Sequence, residues 1–192
     1  MTKLLHGVGR NSRVKYKTKI NGKVLPVYQS WRDMIRRCYD IRVQDKRPTY
    51  IGCSVDESWH DFQDFAEWCD SHPYGKYGYH LDKDLLIPDN RIYSPNTCCF
   101  VPAELNLLLT NAGGIRGKYP QGVHLDTRHK KYQATISINS NQQNLGYFDC
   151  PHEAHQVYKK AKEAYVKEKA LEWQDRIADD VFQALMTWEL AA

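Results

Sequence analysis

The segment HLDKDLLI at 80–87 sets His80, Asp82 and Asp84 two residues apart. Read as a strand, it puts these three on one face and Leu81, Lys83 and Leu85 on the other. Two carboxylates that close repel each other unless a cation stands near them. A hard divalent ion such as Mg²⁺ or Mn²⁺ takes oxygen ligands and keeps positions open for phosphate and water. Asp82 and Asp84 are therefore the expected metal ligands, and Asn106, on a following helix, offers a further oxygen. Such an ion suits phosphodiester hydrolysis, because it holds the scissile phosphate and stabilises the leaving oxygen. The attacking water then needs a base. His80 or Lys83 is the expected one, Lys83 only with its pKa lowered. A charged strand facing solvent would present the same residues.

A second group lies at 119–165. The pieces GVHLD, YQATISI and NLGYFD alternate apolar and polar residues, with TRHKK and NSNQQ between them. Val123, Leu125, Ala134, Ile136 and Ile138 point one way, towards Ala154, Val157, Tyr158 and Ala161 of a following helix. The other face carries His124, Asp126, Gln133, Thr135, Ser137 and Asn144. A twisted sheet of this size fits a major groove, where Gln and Asn pair with adenine edges and Thr and Ser reach phosphates or bases. Arg116, Lys118, Arg128, Lys130 and Lys131 flank the face and would neutralise phosphates. An ordinary sheet with a polar outer face has the same pattern.

These side chains need elements to hold them. Residues 1–26 read as a basic, irregular arm. Tyr28, Trp31, Met34, Ile35 and Cys38 recur at helical spacing, with Arg32, Arg36 and Arg37 on the opposite side as phosphate contacts. A polar loop is expected at 41–50 and a short strand at 51–55. Asp56 then caps a helix over 57–70 that buries Trp59, Phe62, Phe65, Ala66 and Trp68. Residues 79–110 spell strand, turn, extended piece and helix. A Gly-containing linker at 111–118 divides a module at 1–110 from one at 119–170, and a helical tail fills 171–192. The expected class is α+β. His152 and His155 fit surface or capping roles, and Cys98 and Cys99 fit buried structural ones.

Charge is distributed unevenly over the 192 residues, whose net charge is +4. Residues 1–50 carry 13 Lys and Arg against 3 acids, residues 51–110 carry 3 against 10, and residues 111–150 carry 5 against 2. A basic arm, an acidic centre and a small basic module imply a polyanion held around a site that wants cations. No run of about 18 apolar residues exists, which argues against a membrane span. No apolar stretch at the start is long enough for a signal peptide, so a cytoplasmic protein is expected. The six cysteines then read as reduced thiols, and the lack of a CxxC pair argues against structural zinc. No Gly-rich phosphate loop, dinucleotide fingerprint or Ser–His–Asp order is present.

LDKDLLIPDNRIYSPNTCCFVPAELNLLLTN resembles the core of HNH-type nucleases, the ββα-metal or His-Me finger group of phages and mobile introns. YQSWRDMIRRCY and VDESWHDFQDFAEW resemble segments upstream of that core in the same phage proteins. The resemblance implies a metal-binding Asp at Asp82, a helix ligand at Asn106 and an orienting residue at Thr97 or Asn96. It sets Lys83 where the family has its base His, so His80 substitutes, Lys83 acts with the metal, or the finger only binds. YPQGVHLDTRHKKYQATISI and LGYFDCPHEAHQVYKKA resemble the AP2/ERF DNA-binding domain, a three-stranded antiparallel sheet packed on a helix. Its sheet has Arg and Trp where this chain has smaller polar residues, so the target sequence does not carry over. Together the resemblances imply a homing-endonuclease-like protein that binds double-stranded DNA and cleaves it with Mg²⁺, as a monomer or homodimer. The alternatives are a non-catalytic DNA-binding regulator derived from a decayed nuclease, and a phage protein that binds a host protein through its acidic surface.

Overall fold

The computed structural model describes residues 4–75, 78–110 and 118–190. The chain is of mixed α+β class. It divides into two compact units, Met1–Ala103 and Glu104–Ala192, a boundary that precedes the expected linker at 111–118. Residues 111–117 of that linker lie outside the described residues.

In the first unit the arm is more ordered than its composition implies. It forms a small hairpin, β1 (Lys19–Ile20) with β2 (Lys23–Val24), around Asn21 and Gly22, both at positive φ. Helix α1 (Pro26–Tyr39) starts on a proline, which suits a first turn, and buries Trp31, Met34, Ile35 and Cys38 as the spacing predicts. The expected loop at 41–50 contains helix α2 (Ile41–Lys46), because Asp40 accepts from the Arg42 backbone N–H at 3.1 Å and caps it. Strand β3 is only Ser54–Val55. The helix expected from 57 starts later: Asp56 caps a short 3-10 turn, Glu57–Trp59, and Asp61 caps α3 (Phe62–Ser71). Trp31, Trp59, Phe62 and Phe65 are almost wholly buried and Trp68 partly so. The Trp31 indole N–H donates to the Trp59 carbonyl at 2.8 Å, which satisfies its polar edge inside the core. Truncating one of these rings would cost about 3–5 kcal/mol.

Strand β4 (His80–Asp82) pairs antiparallel with β6 (Cys99–Val101), while β5 (Ile92–Tyr93) pairs parallel with β3. Cys98 and Cys99 are buried, and burial pushes the Cys98 thiol up to about 12, so it packs as a small apolar residue.

In the second unit, α4 (Ala103–Leu109) precedes the sheet β7 (Val123–Asp126), β8 (Lys131–Ile138) and β9 (Asn141–Phe148), in the order β7-β8-β9 and antiparallel throughout. The second turn is shorter than expected. Asn139 and Ser140 both take positive φ and close a two-residue hairpin, so β9 begins at Asn141. Helix α5 (Pro151–Trp173) packs beneath through Ala154 and Tyr158, and the tail contains α6 (Asp179–Met186). Ile136, Tyr158, Tyr165 and Leu190 form this unit's cluster, with Leu108 of α4 against it. His155 lies 3.0 Å from the Gln121 carbonyl and holds the approach to β7. Gly122 has φ +78°, and a Cβ there would collide with the Tyr158 ring. No helix among the described residues is long and apolar enough to cross a membrane.

Candidate metal centre and nucleic-acid interface

The expected strand 80–87 stops at Asp82. Asp82 Oδ1 accepts the backbone N–H groups of Asp84 at 3.0 Å and Leu85 at 2.8 Å, which bends the chain out of the ladder. His80 and Asp82 therefore share a face, but alternation no longer carries Asp84 onto it. Among the described residues no three His, Cys, Asp or Glu side chains gather into a metal-holding group, so the trio His80, Asp82 and Asp84 is not one cluster. What the turn does create is a close carboxyl pair, Asp82 and Asp84. Burial, and then the charge of Asp84, push Asp82 up to about 6.

Lys83 has a different place from the one expected of a base. It is buried, and its ammonium donates to Asp84 Oδ2 at 2.8 Å and to the Asn90 carbonyl at 2.8 Å. An ammonium held by a carboxylate has no lone pair for water, which leaves His80 as the base candidate in this strand. The expected orienting residues, Thr97 and Asn96, lie in the turn that leads into β6. Thr97 donates to the Ile92 carbonyl at 2.7 Å, and the Asn96 N–H donates to Ser94 Oγ at 3.3 Å. The loop's organiser is Asn90, which the sequence reading missed. Its amide donates to the carbonyls of Lys83 and Ile92 and accepts from the Ile92 N–H. The turn sequence PDNR was the available signal. Asn106 sits on α4 in the second unit, where Glu104 of the same helix pairs with Lys169 at 3.2 Å.

Asp82 and Asp84 are the carboxylates of this segment that could hold a hard cation. Burial first, and the charge of Asp84 second, raise the Asp82 carboxyl, and a bound divalent cation would offset that cost. Asp82 would hold the ion, with Asp84 beside it through the oxygen that Lys83 leaves.

The β7–β9 sheet builds a broader surface. Register sets His124, Gln133 and Tyr147 in one row, Thr135 and Asn144 in the next, and Ser137 and Gln142 in a third, all on the face away from α5. A bulge between the first two rows lets Leu145 turn inward to the core. Tyr147 was not foreseen because simple alternation from Asn144 sends residue 147 to the other face, and Gln142 because NSNQQ was expected as a turn. Asn144 is partly engaged, since its Oδ1 accepts from the Gly146 N–H at 2.9 Å. Asp126 faces inward on its own turn. It accepts from the N–H groups of His129 and Arg128, which hold its carboxyl below the usual range, and it pairs with the His129 ring at 3.1 Å. His129 in turn packs on Tyr147, with ring centres 4.9 Å apart.

The expected phosphate contacts divide into free and engaged groups. Lys118, Arg128 and Lys130 are exposed and make no ion pair among the described residues, whereas Lys131 pairs with Asp149 at 3.3 Å. Arg116 lies outside the described residues. On α1, Arg32 is exposed and Arg36 pairs with Asp33 at 3.3 Å. Arg37 is only partly exposed, lies 5.5 Å over the Tyr50 ring and bonds to Tyr93, so it braces the first core and does not face a partner freely.

No protein family, curated protein or solved structure matches this chain.

Proposed function

We propose that the protein binds double-stranded DNA in a sequence-directed way and cleaves its phosphodiester bonds with Mg²⁺, as an HNH-like nuclease joined to an AP2-like reader. The observation that carries this reading is the outer sheet face. It sets His124, Gln133, Thr135, Ser137, Gln142 and Asn144 in rows, with Gln142 donating to Thr135 at 3.4 Å and Asn144 accepting from the Gly146 N–H, and Lys118, Arg128 and Lys130 stand exposed beside it. Neutral amides and hydroxyls suit base edges, and the cations suit the backbone. Support for cleavage comes from the antiparallel pair β4 and β6 followed by α4, with β5 between the paired strands, Asp82 ending the first strand and His80 on the same face.

In this mechanism Asp82 and Asp84 present oxygens to the ion, and Lys83 fixes the Asp84 carboxylate by its 2.8 Å contact. A bound Mg²⁺ supplies charge stabilisation at the scissile phosphate and its leaving oxygen. His80 takes the proton of the attacking water on a ring nitrogen. The engaged state of Lys83, next to Asp82, favours the second reading, a DNA-binding regulator without cleavage.

Plasmid relaxation separates the two. The enzyme nicks supercoiled DNA with Mg²⁺ and loses at least 100-fold of that rate in Asp82→Asn. The regulator retards DNA in a salt-sensitive way without nicking. A wild-type protein that neither nicks nor retards DNA at low salt overturns both.

A further inference from the structure

We propose that residues 10–24 form a second duplex-binding element, a pre-shaped basic ribbon that grips phosphates and adds its own share of the salt-dependent affinity. The β7–β9 face then supplies discrimination between sequences. The inference rests on the DNA-binding reading above and adds to it a surface and a division of labour.

Between Arg10 and Val24 the chain has six Lys and Arg and no acid. Arg10 pairs with Asp61 at 3.3 Å and Lys15 with Glu67 at 3.4 Å. Arg13, Lys17, Lys19 and Lys23 are exposed and make no ion pair among the described residues. Concentrated like charge destabilises a surface unless a counter-charge meets it, so a segment this basic is matched to a polyanion.

The segment is also held in shape, which a tail that merely attracts counter-ions would not need. Gln63, buried on the first turn of α3, accepts the N–H groups of Lys15 at 2.8 Å and Tyr16 at 2.6 Å. Its amide nitrogen donates to Asn11 Oδ1 at 2.7 Å and to the Tyr16 carbonyl at 3.0 Å. Asp61, the N-cap two residues earlier, accepts the Ser12 N–H at 3.2 Å. Four hydrogen bonds to one buried amide fix the backbone before any partner arrives, which lowers the ordering cost of binding. The result is an open groove of about 510 Å³ along the arm, with Arg13, Lys15, Lys17 and Lys19 among its walls. Beyond it the β1–β2 hairpin projects Lys19 and Lys23 around the Asn21–Gly22 turn, and a two-stranded ribbon is an element that a DNA groove admits.

The test measures retardation of a mixed-sequence 30-base-pair duplex across a KCl series. In the full chain, Arg13, Lys17, Lys19 and Lys23 are all changed to Gln. Each lost phosphate contact removes about 0.9 from the slope of log affinity against log salt, so the slope should fall by about 3 to 4. The double variant Lys19→Gln/Lys23→Gln should lose about 2 and guards against misfolding of the larger one. Gln133→Ala, on the sheet, should leave the slope unchanged. An unchanged slope in both arm variants, with wild-type binding intact, overturns the inference. So does an arm variant that loses adsorption to anionic phosphatidylserine vesicles but keeps its duplex slope. Absence of duplex binding by the wild type at low salt overturns the underlying reading as well, and so is told apart from failure of the arm alone.

Discussion

The β4–β6 hairpin and the β7–β9 sheet both carry polar side chains in numbers a core does not need, yet they use them in opposite ways. In the hairpin the groups turn inward: Asp82 takes two backbone N–H groups, Lys83 bridges Asp84 and Asn90, and Asn90 ties the loop to β5. In the sheet the strict geometry lies underneath, at Gly122, Tyr158 and the bulge, and the outer rows bond only locally, Gln142 to Thr135 and Asn144 to the Gly146 N–H. A polar group already hydrogen-bonded by its own chain has less to offer a ligand than one left to water. The hairpin is therefore a site of few donors, and the sheet a wide surface of many.

The largest test of this contrast is beneath the sheet. Gly122→Ala combines a positive φ with a collision against Tyr158 and should destabilise the second unit by about 3 kcal/mol or more, seen in urea unfolding. Next comes the hairpin. Asp82 has a folded-state pKa raised to about 6, so its stabilising contribution is complete below the unfolded value near 3.8 and is lost as pH rises through about 6. Asp82→Asn mimics the protonated acid and keeps the Oδ1 acceptor. It should raise stability by about 2 kcal/mol at pH 7.5 and by nearly nothing at pH 3.5, read from melting curves at both. Added Mg²⁺ should stabilise the wild type and not this variant. The smallest effect belongs to the outer face. Gln133→Ala should change stability by less than about 0.5 kcal/mol while reducing preference for a selected DNA site, measured by competition between cognate and scrambled duplexes. A large loss of stability there would erase the contrast.

Much of the scaffold was legible in the residues. The stripe Trp31, Met34, Ile35 and Cys38 and the alternation of β8 follow from burial on one face, which is a property of spacing. Three of the misreadings share a cause: a side chain bonding to nearby backbone. Asp40 started a helix inside an expected loop, Asp61 moved the start of α3, and Asp82 ended a strand that its neighbours' pattern would have continued. Periodicity records which face is apolar and does not record where a carboxylate finds its donors. The candidate site suffered most, because its expected common face depended on a strand that its own central residue terminates. The arm was hidden for a similar reason. Its order comes from Gln63, about fifty residues away, and nothing local announces it.

The bulge in β9 has a consequence for how the outer face can change over generations. Because Leu145 is the one residue without an opposite number, Asn144 and Tyr147 stay in phase with Thr135 and Gln133 although an even and an odd position separate them. Loss of that single residue would leave the rows in step, whereas an insertion or deletion elsewhere in the strand would invert every side chain beyond it. The strand therefore has a point at which its length can change by one residue without altering which side chains the outer face displays.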